Sequence, residues 1–290
     1  MATFIPKISS LSSRIIRILG CNPSPMTLQG TNTYLIGTGA KRILLDCGNP
    51  GVPEYINLLE NVCSEQKCSL HNIIVTHWHL DHIGGVPDIL KELKLGRDCT
   101  VSKFPRAPGV ENLPNVPDLP YHYLKDGDII TTEGATLRVV AAPGHTDDHL
   151  VLLLEEENSL FSGDCILGEG TAVFEDLFDY MLSLEKILKL KPDIIYPGHG
   201  PVIENPKTKV QEYIQHRMLR EKQILDALEF ARPNGLSAEE LVNQIYVTTP
   251  KNLLKAAEVN VLHHLQKLKK GKVVAEEASN DGECAKYVLL

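Results

Sequence analysis

The sequence predicts a mixed α/β (α+β) domain over residues 1–204, followed by a helical domain over residues 205–290. Short apolar β segments alternate with glycine turns and a few helices before Gly200, which is typical of an α/β fold. After Pro206 the pattern changes to three helical segments and a short hairpin. A chain of 290 residues is long enough for a large domain with a smaller one attached.

The predicted elements follow from hydrophobic periodicity and turn residues. We predict strands at residues 32–36, 42–47, 72–76, 136–142, 150–155, 159–162 and 192–196. We predict helices at residues 53–61, 83–95, 182–190, 207–230 and 253–270. Ser237-Ala-Glu-Glu240 resembles a capping box that opens a further helix, and residues 273–274 and 287–289 suggest a hairpin. This C-terminal order is typical of a winged helix.

Composition narrows the class of protein. Hydrophobic residues make up 43% and charged residues 23% of the chain, which is ordinary for a soluble globular protein. The apolar run 150–154 is far shorter than the ~18 residues of a membrane helix, so we expect no membrane partner. The net charge of −8 argues against bulk binding to nucleic acid. It leaves a phosphate-bearing substrate open, because bound metal ions would offset acidic ligands.

The seven cysteines form no C-x-x-C pair, which suits a reducing compartment. Cys165 directly follows Asp164, and we interpret it as a small buried residue rather than a nucleophile.

Metal-ligating residue types crowd one turn of the chain. His77, His79, Asp81 and His82 follow the apolar segment 73–75 and precede two glycines. An open catalytic zinc site normally takes three protein ligands, so four such groups within six residues indicate two metal ions rather than one.

Three more ligands repeat one local pattern. His145, Asp164 and His199 each come directly after a glycine that follows an apolar strand segment. The recurrence distinguishes this set from scattered histidines. Together the residues predict a centre for two divalent ions, with Zn²⁺ preferred and Mn²⁺ or Mg²⁺ as alternatives.

In this order the motifs resemble those of the metallo-β-lactamase superfamily. Asp46-x-Gly48 matches an early strand motif of that family, and the resemblance spans about residues 14–204. It implies a four-layer αββα sandwich with a C-terminal winged-helix-like domain. It also implies that Asp46 orients a ligand histidine from outside the metal's own ligand set. The implied ligand sets are His77, His79 and His145 for one ion and Asp81, His82 and His199 for the other, with Asp164 as the bridge.

The resemblance is stronger to one branch of the family, through residues 28–34, 143–149 and 161–170 and the C-terminal segment. It implies an endoribonuclease that hydrolyses single-stranded RNA in mitochondria. The expected nucleophile is a hydroxide bridging two metal ions. Asp81 is the candidate catalytic residue, steering the proton of the attacking water.

The N-terminal 45 residues contain no Asp or Glu, and Lys7, Arg14 and Arg17 lie among serines and aliphatic residues. Transit peptides share this composition, so we expect the mitochondrial matrix, with the cytoplasm as the alternative. Residues 14–19 could equally form a first β-strand, in which case import would leave them in place.

Other functions remain open. A thioesterase similar to hydroxyacylglutathione hydrolase shares the metal pattern and is the main alternative, although the basic cluster that clamps glutathione has no obvious counterpart here. β-Lactam hydrolysis, a mono-iron dioxygenase and a non-enzymatic RNA-binding module fit the ligand set less well.

Several residues near these motifs have two interpretations. His149 either hydrogen-bonds a departing oxygen or satisfies its own turn, and the proline-rich segment 104–120 is a candidate cleft wall. Four residues either stack bases or pack in the core, which the sequence favours: Trp78, Tyr121, His122 and Tyr123. Three either contact phosphate or form a solvated helix end, which is again favoured: Lys267, Lys269 and Lys270.

Overall fold

The computed structural model describes residues 3–95, 98–111, 113–114, 116, 121–277 and 284–290. Two β-sheets are stacked face to face with helices on both outer sides, and a small three-stranded sheet with helices follows. None of the helices in the described ranges is long and apolar enough to cross a membrane.

The first sheet contains seven strands in chain order. It pairs antiparallel from the first strand to the fourth and parallel from the fourth to the seventh. Parallel strands end at the same sheet edge, so the segment after the fifth strand, which carries the histidine cluster, starts at that edge. The strands are β1 (Ile8–Ser10), β2 (Ile15–Leu19), β3 (Asn32–Ile36), β4 (Lys41–Leu45), β5 (Ser69–Ile74), β6 (Thr100–Lys103) and β7 (Tyr121–Tyr123).

The second sheet contains five strands: β8 (Ile129–Thr132), β9 (Ala135–Ala141), β10 (Leu150–Leu154), β11 (Ser159–Gly163) and β12 (Ile194–Pro197). Their spatial order is β12-β11-β10-β9-β8. β11 runs parallel to β12, and β9 has the same direction because both β9 and β11 are antiparallel to β10. The segments after β9, β11 and β12 therefore begin at one edge and bring His145, Asp164 and His199 there.

Helices complete four layers. On the outer face of the first sheet, Tyr55 and Leu59 of the first long helix pack against sheet residues. Phe161 lies in the core between the sheets. On the outer face of the second sheet, Leu184 and Val210 come from two further helices. The helices are α1 (Pro53–Glu65), α2 (Leu80–Ile83), α3 (Val86–Glu92), α4 (Leu177–Leu190) and α5 (Pro206–Phe230).

The C-terminal unit packs around a separate cluster of apolar residues. Ser237 and Glu240 form the predicted capping box at the start of its first helix. Helix α5 contributes to two cores, because Tyr213 packs against α4 while Leu228 packs in the C-terminal cluster. The other elements are β13 (Leu236–Ser237), α6 (Ala238–Ile245), α7 (Leu254–Lys270), β14 (Val274–Glu277) and β15 (Lys286–Leu289), with the sheet order β13-β15-β14.

Some elements differ from the predicted ones. The predicted helix over residues 83–95 is divided into α2 and α3, with Gly84 and Gly85 between them. A Cβ on Gly85 would lie 2.0 Å from the carbonyl oxygen of Cys47, so the close approach to the segment after β4 requires glycine. Helix α4 starts at Leu177 rather than at residue 182, because Asp176 caps its first turn. Strands β6, β7 and β8 were not predicted, since each has three or four residues with little alternation.

Candidate metal centre

Three of the predicted ligands converge through their ring nitrogens. Nε2 of His77 lies 3.0 Å from Nδ1 of His79, and Nε2 of His145 lies 3.2 Å and 3.1 Å from these two atoms. His77 and His145 are buried and His79 is half-buried. The segment after β5 and the turn after β9 thus place three donor atoms around one point.

The second predicted set converges beside the first. Oδ2 of Asp81 lies 3.1 Å from Nε2 of His199 and 3.3 Å from Nε2 of His82, and the two histidine nitrogens are 3.4 Å apart. Asp81 and His82 lie in the single-turn helix α2, and His199 follows β12.

The carboxylate of Asp164 lies between the two sets. Its Oδ1 is 3.4 Å from Nε2 of His82, and its Oδ2 is 3.3 Å from Nε2 of His199 and 3.8 Å from Nε2 of His145. One residue therefore reaches donor atoms of both sets. The structure brings all seven predicted ligands together, although their binding of metal remains a prediction.

The chemistry of this donor set fits divalent ions. A tetrahedral ion with bonds of ~2.0–2.1 Å separates its ligand atoms by roughly 3.3 Å, which is the spacing seen within each set. Three mutually close imidazole nitrogens cannot all be satisfied by hydrogen bonds to one another, because a neutral ring nitrogen is either donor or acceptor. Oδ1 of Asp164 is also buried without a hydrogen-bond partner among the described residues. The clusters could hold metal ions.

Outer contacts fix the histidine rings so that their inward nitrogens carry lone pairs. Nδ1 of His145 lies 2.8 Å from the carbonyl oxygen of Val173, which only accepts, so Nδ1 carries the proton. Nδ1 of His82 donates to Oδ2 of Asp46 over 2.8 Å. Thr76 connects Nδ1 of His77, 2.9 Å from its hydroxyl, to the same carboxylate. The predicted orienting role of Asp46 agrees with this geometry.

Two glycines of the repeated turn pattern are required by close approaches. A Cβ on Gly198 would lie 2.4 Å from Oδ1 of Asp164 and 3.0 Å from Cε1 of His82. Gly144 has a φ of +126°, and its Cβ would lie 2.3 Å from the backbone of Tyr180. Gly198 thus leaves room for the metal centre, and Gly144 leaves room for α4.

Burial and the charges of neighbouring ligands have opposite effects on the pKa values of His199 and Asp164. Burial lowers the pKa of His79 to about 4. Although burial opposes ionisation of Asp164, the neighbouring charges of His199 and His82 hold its pKa well below the usual range. Burial lowers the pKa of His199, but the carboxylate of Asp164 more than offsets this and raises it to about 9. Binding of a cation would therefore have to displace protons from the Asp81 set.

A cleft of about 260 Å³ opens onto both sets. Its walls come from the segments 25–28 and 167–173, and Met26 and Val173 expose more than half of their surface. Its described lining residues include three carboxylates, Asp81, Asp164 and Glu169, and three of the ligand histidines, but no Lys or Arg. A larger cavity of about 450 Å³ lies between α4 and α5, but its described lining contains no metal-ligating residue type.

The base-stacking candidates lie outside the described lining of this cleft. Trp78 is half-buried with the Arg106 guanidinium 4.4 Å from its ring centre, and Tyr123 is exposed on β7. No described residue of the segment 104–120 lines the cleft, and residues 112, 115 and 117–120 of that segment lie outside the described ranges. Base stacking by the aromatic residues and a role of the segment 104–120 as a cleft wall therefore stay predictions.

Other candidates have structural partners. His149 is fully buried, and its Nε2 accepts from the backbone N–H of Asp164 at 3.1 Å, so it holds the turn rather than facing the cleft. Cys165 is buried, and burial raises the pKa of its thiol to about 12, which agrees with a packing role. The three lysines of α7 that were candidates for phosphate contact all form ion pairs. Lys267 pairs with Glu221, Lys269 pairs with Glu276, and Lys270 pairs with both Asp176 and Asp179.

Sequence reasoning missed a buried network behind the histidines. Nζ of Lys103 lies 3.1 Å from Oδ2 of Asp148, and both side chains are fully buried. Oδ1 of Asp148 accepts from the backbone N–H of Trp78, between two ligand histidines. A lysine at the end of a β-strand gives no signal for such a role, because exposure is the normal expectation for lysine.

Comparison with known proteins identifies the family. A model of the metallo-beta-lactamase superfamily matches residues 26–199, and a model of the beta-lactamase associated winged helix domain matches residues 237–282. The chain belongs to the metallo-β-lactamase superfamily, whose members are generally metal-dependent hydrolases. The predicted sandwich fold with a C-terminal winged helix is confirmed.

Individual relatives carry different names. The chain is 53% identical over 280 residues to the Drosophila melanogaster "Beta-lactamase-like protein 2 homolog", covering 96% of this chain and 95% of that protein. It is 44% identical over 259 residues to the Aspergillus fumigatus "Atrochrysone carboxyl ACP thioesterase", covering 86% and 78%. The solved beta-lactamase domain protein from Burkholderia ambifaria superposes with a TM-score of 0.79 at 20% identity, covering 98% and 93%. This structure shares the fold.

Proposed function

We propose that this protein is a metal-dependent endoribonuclease that hydrolyses phosphodiester bonds of single-stranded RNA with two divalent ions, preferably Zn²⁺, and with Mn²⁺ or Mg²⁺ as alternatives. The observation that carries the proposal is the position of Asp164, whose Oδ2 lies 3.3 Å from Nε2 of His199 and 3.8 Å from Nε2 of His145 and so reaches both neighbouring three-ligand sets. Paired metal sites are typical of enzymes that cleave phosphodiesters by in-line attack.

Bound ions would activate water at neutral pH and neutralise the charge that develops on the phosphate. The chain's own residues supply the rest. Asp81 has a quarter of its side chain exposed and lies at the cleft. Burial opposes its ionisation, but the charge of His82 and hydrogen bonds from His199 and His82 lower its pKa. An ionised carboxylate accepts hydrogen bonds only, so Asp81 would orient the attacking water in the cleft.

The surface next to the centre supports RNA as the partner. Trp78 directly precedes the ligand His79, and their rings are 4.6 Å apart. The guanidinium over Trp78 and the exposed ring of Tyr123 add cationic and aromatic character. Proteins bind single-stranded nucleic acid by combining positive charge with aromatic stacking, at ~1–3 kcal/mol per stacked base. We place the RNA on this side rather than on α7 because Trp78 adjoins the ligand His79. Ion pairing does not separate the two surfaces, since Arg106 pairs with Asp147 as the lysines of α7 pair with their own carboxylates.

A thioesterase is the second candidate. One relative is named a thioesterase, and the described lining of the cleft contains apolar residues, carboxylates and histidines but no Lys or Arg. An apolar acyl chain fits such walls without phosphate contacts. Both candidates use the same metal centre, so the nature of the substrate separates them.

We also propose the mitochondrial matrix as the compartment, with the cytoplasm as the alternative. The basic N-terminal segment supports import. In the structure Ile15 and Ile18 of β2 are fully buried, so removal of residues 15–19 would take a strand out of the first sheet. Import that leaves β2 in place is therefore the form of the proposal that preserves the fold.

The test is cleavage of end-labelled single-stranded RNA by the purified chain, with and without divalent metal. Asp81→Ala and His145→Ala should abolish cutting. Asp226→Asn, in an exposed ion pair, and His71→Ala, on β5, are matched controls and should cut normally. The nuclease is supported if the wild type and both controls make metal-dependent internal cuts and Asp81→Ala and His145→Ala make none. No cutting in any metal, with S-lactoylglutathione hydrolysed instead, contradicts it and supports the thioesterase.

A further inference from the structure

One loop connects the C-terminal helices with the metal centre. Residues 167–176, here called the cleft loop, form part of the cleft wall and precede α4. On the side of the metal centre, the carbonyl oxygen of Val173 accepts from Nδ1 of His145 at 2.8 Å. The backbone N–H of Glu175 donates to the carbonyl oxygen of Gly144 over 2.8 Å. The position of His145 thus depends on the cleft loop through both its ring and its backbone.

The other side of the cleft loop is held by α5. Nη2 of Arg217 donates to the carbonyl oxygen of Ala172 over 3.0 Å, and its guanidinium carbon lies 4.7 Å from the ring centre of Phe174. The hydroxyl of Tyr213 donates to the carbonyl oxygen of Gly170 over 3.0 Å. These contacts hold the backbone of the cleft loop at Gly170 and Ala172, two of the residues that line the cleft.

Arg217 is buried, with 6% of its surface exposed, although it carries a charge. Burial lowers the pKa of its guanidinium, but arginine starts so high that it stays protonated. A buried charge is costly unless carbonyls or aromatic rings stabilise it. The groups that do so here, Ala172 and Phe174, both belong to the cleft loop.

Helix α7 holds the C-terminal end of the cleft loop. Nζ of Lys270 forms ion pairs with Asp176 and Asp179 at 3.3 Å and 3.1 Å. The ring of His263 meets Phe174 edge-on, with the centres 5.2 Å apart. The C-terminal helices and the three-histidine set therefore contact the cleft loop from opposite sides.

The geometry points to Arg217 as a positioning residue of the metal centre: through Ala172 and the cleft loop it fixes the carbonyl of Val173 and hence the ring of His145. Arg217 would then act on metal binding at the three-histidine set. The cleft loop also contacts the set that contains Asp81, because the backbone N–H of Gly168 donates to the carbonyl oxygen of His199 over 2.9 Å, but the contacts of Arg217 lie farther along the loop, at Ala172 and Phe174. This inference rests on the proposed binding of metal by His145, and it is independent of which substrate the protein cleaves.

The test uses the full chain and measures metal occupancy rather than activity. Crystals of each variant are equilibrated at a series of Zn²⁺ concentrations, and anomalous diffraction gives the occupancy beside each ligand set. Loss of a contact that orients a ligand typically costs 10–100-fold in metal affinity. We expect Arg217→Met to weaken Zn²⁺ binding at the three-histidine set by ~10-fold and to leave the other set unchanged. Arg217→Lys should restore part of the loss.

Arg220→Met is the matched control, because Arg220 lies one turn away on α5 and stacks on Tyr246 at 3.9 Å instead of on the cleft loop. It should bind Zn²⁺ as the wild type does. Tyr213→Phe keeps the ring and removes a hydroxyl that accepts from the backbone N–H of Leu167 and donates to the carbonyl oxygen of Gly170. If Arg217→Met does not fold, weaker Zn²⁺ binding at the three-histidine set of Tyr213→Phe answers whether the cleft loop positions His145.

Equal weakening at both sets in Arg217→Met, or wild-type affinity at the three-histidine set in both Arg217→Met and Tyr213→Phe, would overturn the inference. Absence of Zn²⁺ from the three-histidine set of the wild type would overturn it too. A selective loss of affinity in a protein that fails to cut RNA would support the inference while contradicting the proposed nuclease.

Discussion

Replacement of Asp46 by Asn tests how the outer contacts control the metal centre. The carboxylate of Asp46 accepts from the backbone N–H of Thr76 through Oδ1 and from Nδ1 of His82 through Oδ2, both over 2.8 Å. In Asp46→Asn, the bond from Thr76 keeps the amide oxygen in the first position. The amide NH₂ then faces His82 and donates to Nδ1, so the ring proton moves to Nε2, the atom that faces the proposed ion.

The size of the effect follows from this change of tautomer. A ring nitrogen that carries a proton cannot bind a metal ion, so the rare correct tautomer or a turned amide must be selected first. Contacts of this kind typically contribute 10–100-fold to metal affinity, which corresponds to ~1.4–2.7 kcal/mol. The loss should fall on the ion beside Asp81, His82 and His199. The three-histidine set should change little, since Thr76 can still donate to the amide oxygen.

The assay is competition for Zn²⁺ against a chelator of known affinity, which yields two dissociation constants, with anomalous diffraction to assign them. Asp88→Asn is the control, because Asp88 accepts one backbone N–H from Gly51 at the surface. Unchanged constants in Asp46→Asn, or a loss confined to the three-histidine set, would refute the tautomer argument.

Three other changes test separate parts of the structure. In Gly198→Ala the new methyl group would lie 2.4 Å from Oδ1 of Asp164, so elemental analysis should find fewer ions per chain; full metal content would contradict the close approach. Lys103→Met leaves the buried carboxylate of Asp148 without its cation and should lower the free energy of unfolding by ~3–5 kcal/mol in urea titration, whereas a loss under 1 kcal/mol would argue against the buried pair. Interaction with the Cys63 thiol lowers the pKa of the Cys68 thiol, so alkylation of Cys68 at neutral pH should slow in Cys63→Ala; an unchanged rate would exclude that interaction.

The sequence predicted the ligand-bearing turns because local chemistry shapes them. Gly144 and Gly198 stand where no side chain fits, and each precedes a histidine at the end of a β-strand. Parallel strands end at the same edge of a sheet, so the turns that follow these strands bring the seven residues close to one another. The longer helices were predicted for a similar reason, because their amphipathic pattern is a property of the segment itself.

The outer contacts of the site could not be predicted from sequence. The carbonyl oxygens of Val173 and Gly30 accept from ligand histidines, yet every residue has a carbonyl and its direction depends on the whole fold. Arg217 and Lys103 are buried against expectation, because tertiary partners stabilise their charges. Short strands such as β7 form through pairing with a neighbour, and their own residues show little periodicity.

The most direct test of the central claim is anomalous diffraction at the zinc edge from crystals of the wild-type chain reconstituted with Zn²⁺. The arrangement of donor atoms predicts two peaks per chain, one among His77, His79 and His145 and one among Asp81, His82 and His199, with Asp164 in contact with both. A single peak at saturating Zn²⁺, confined to one set, would contradict a centre for two ions.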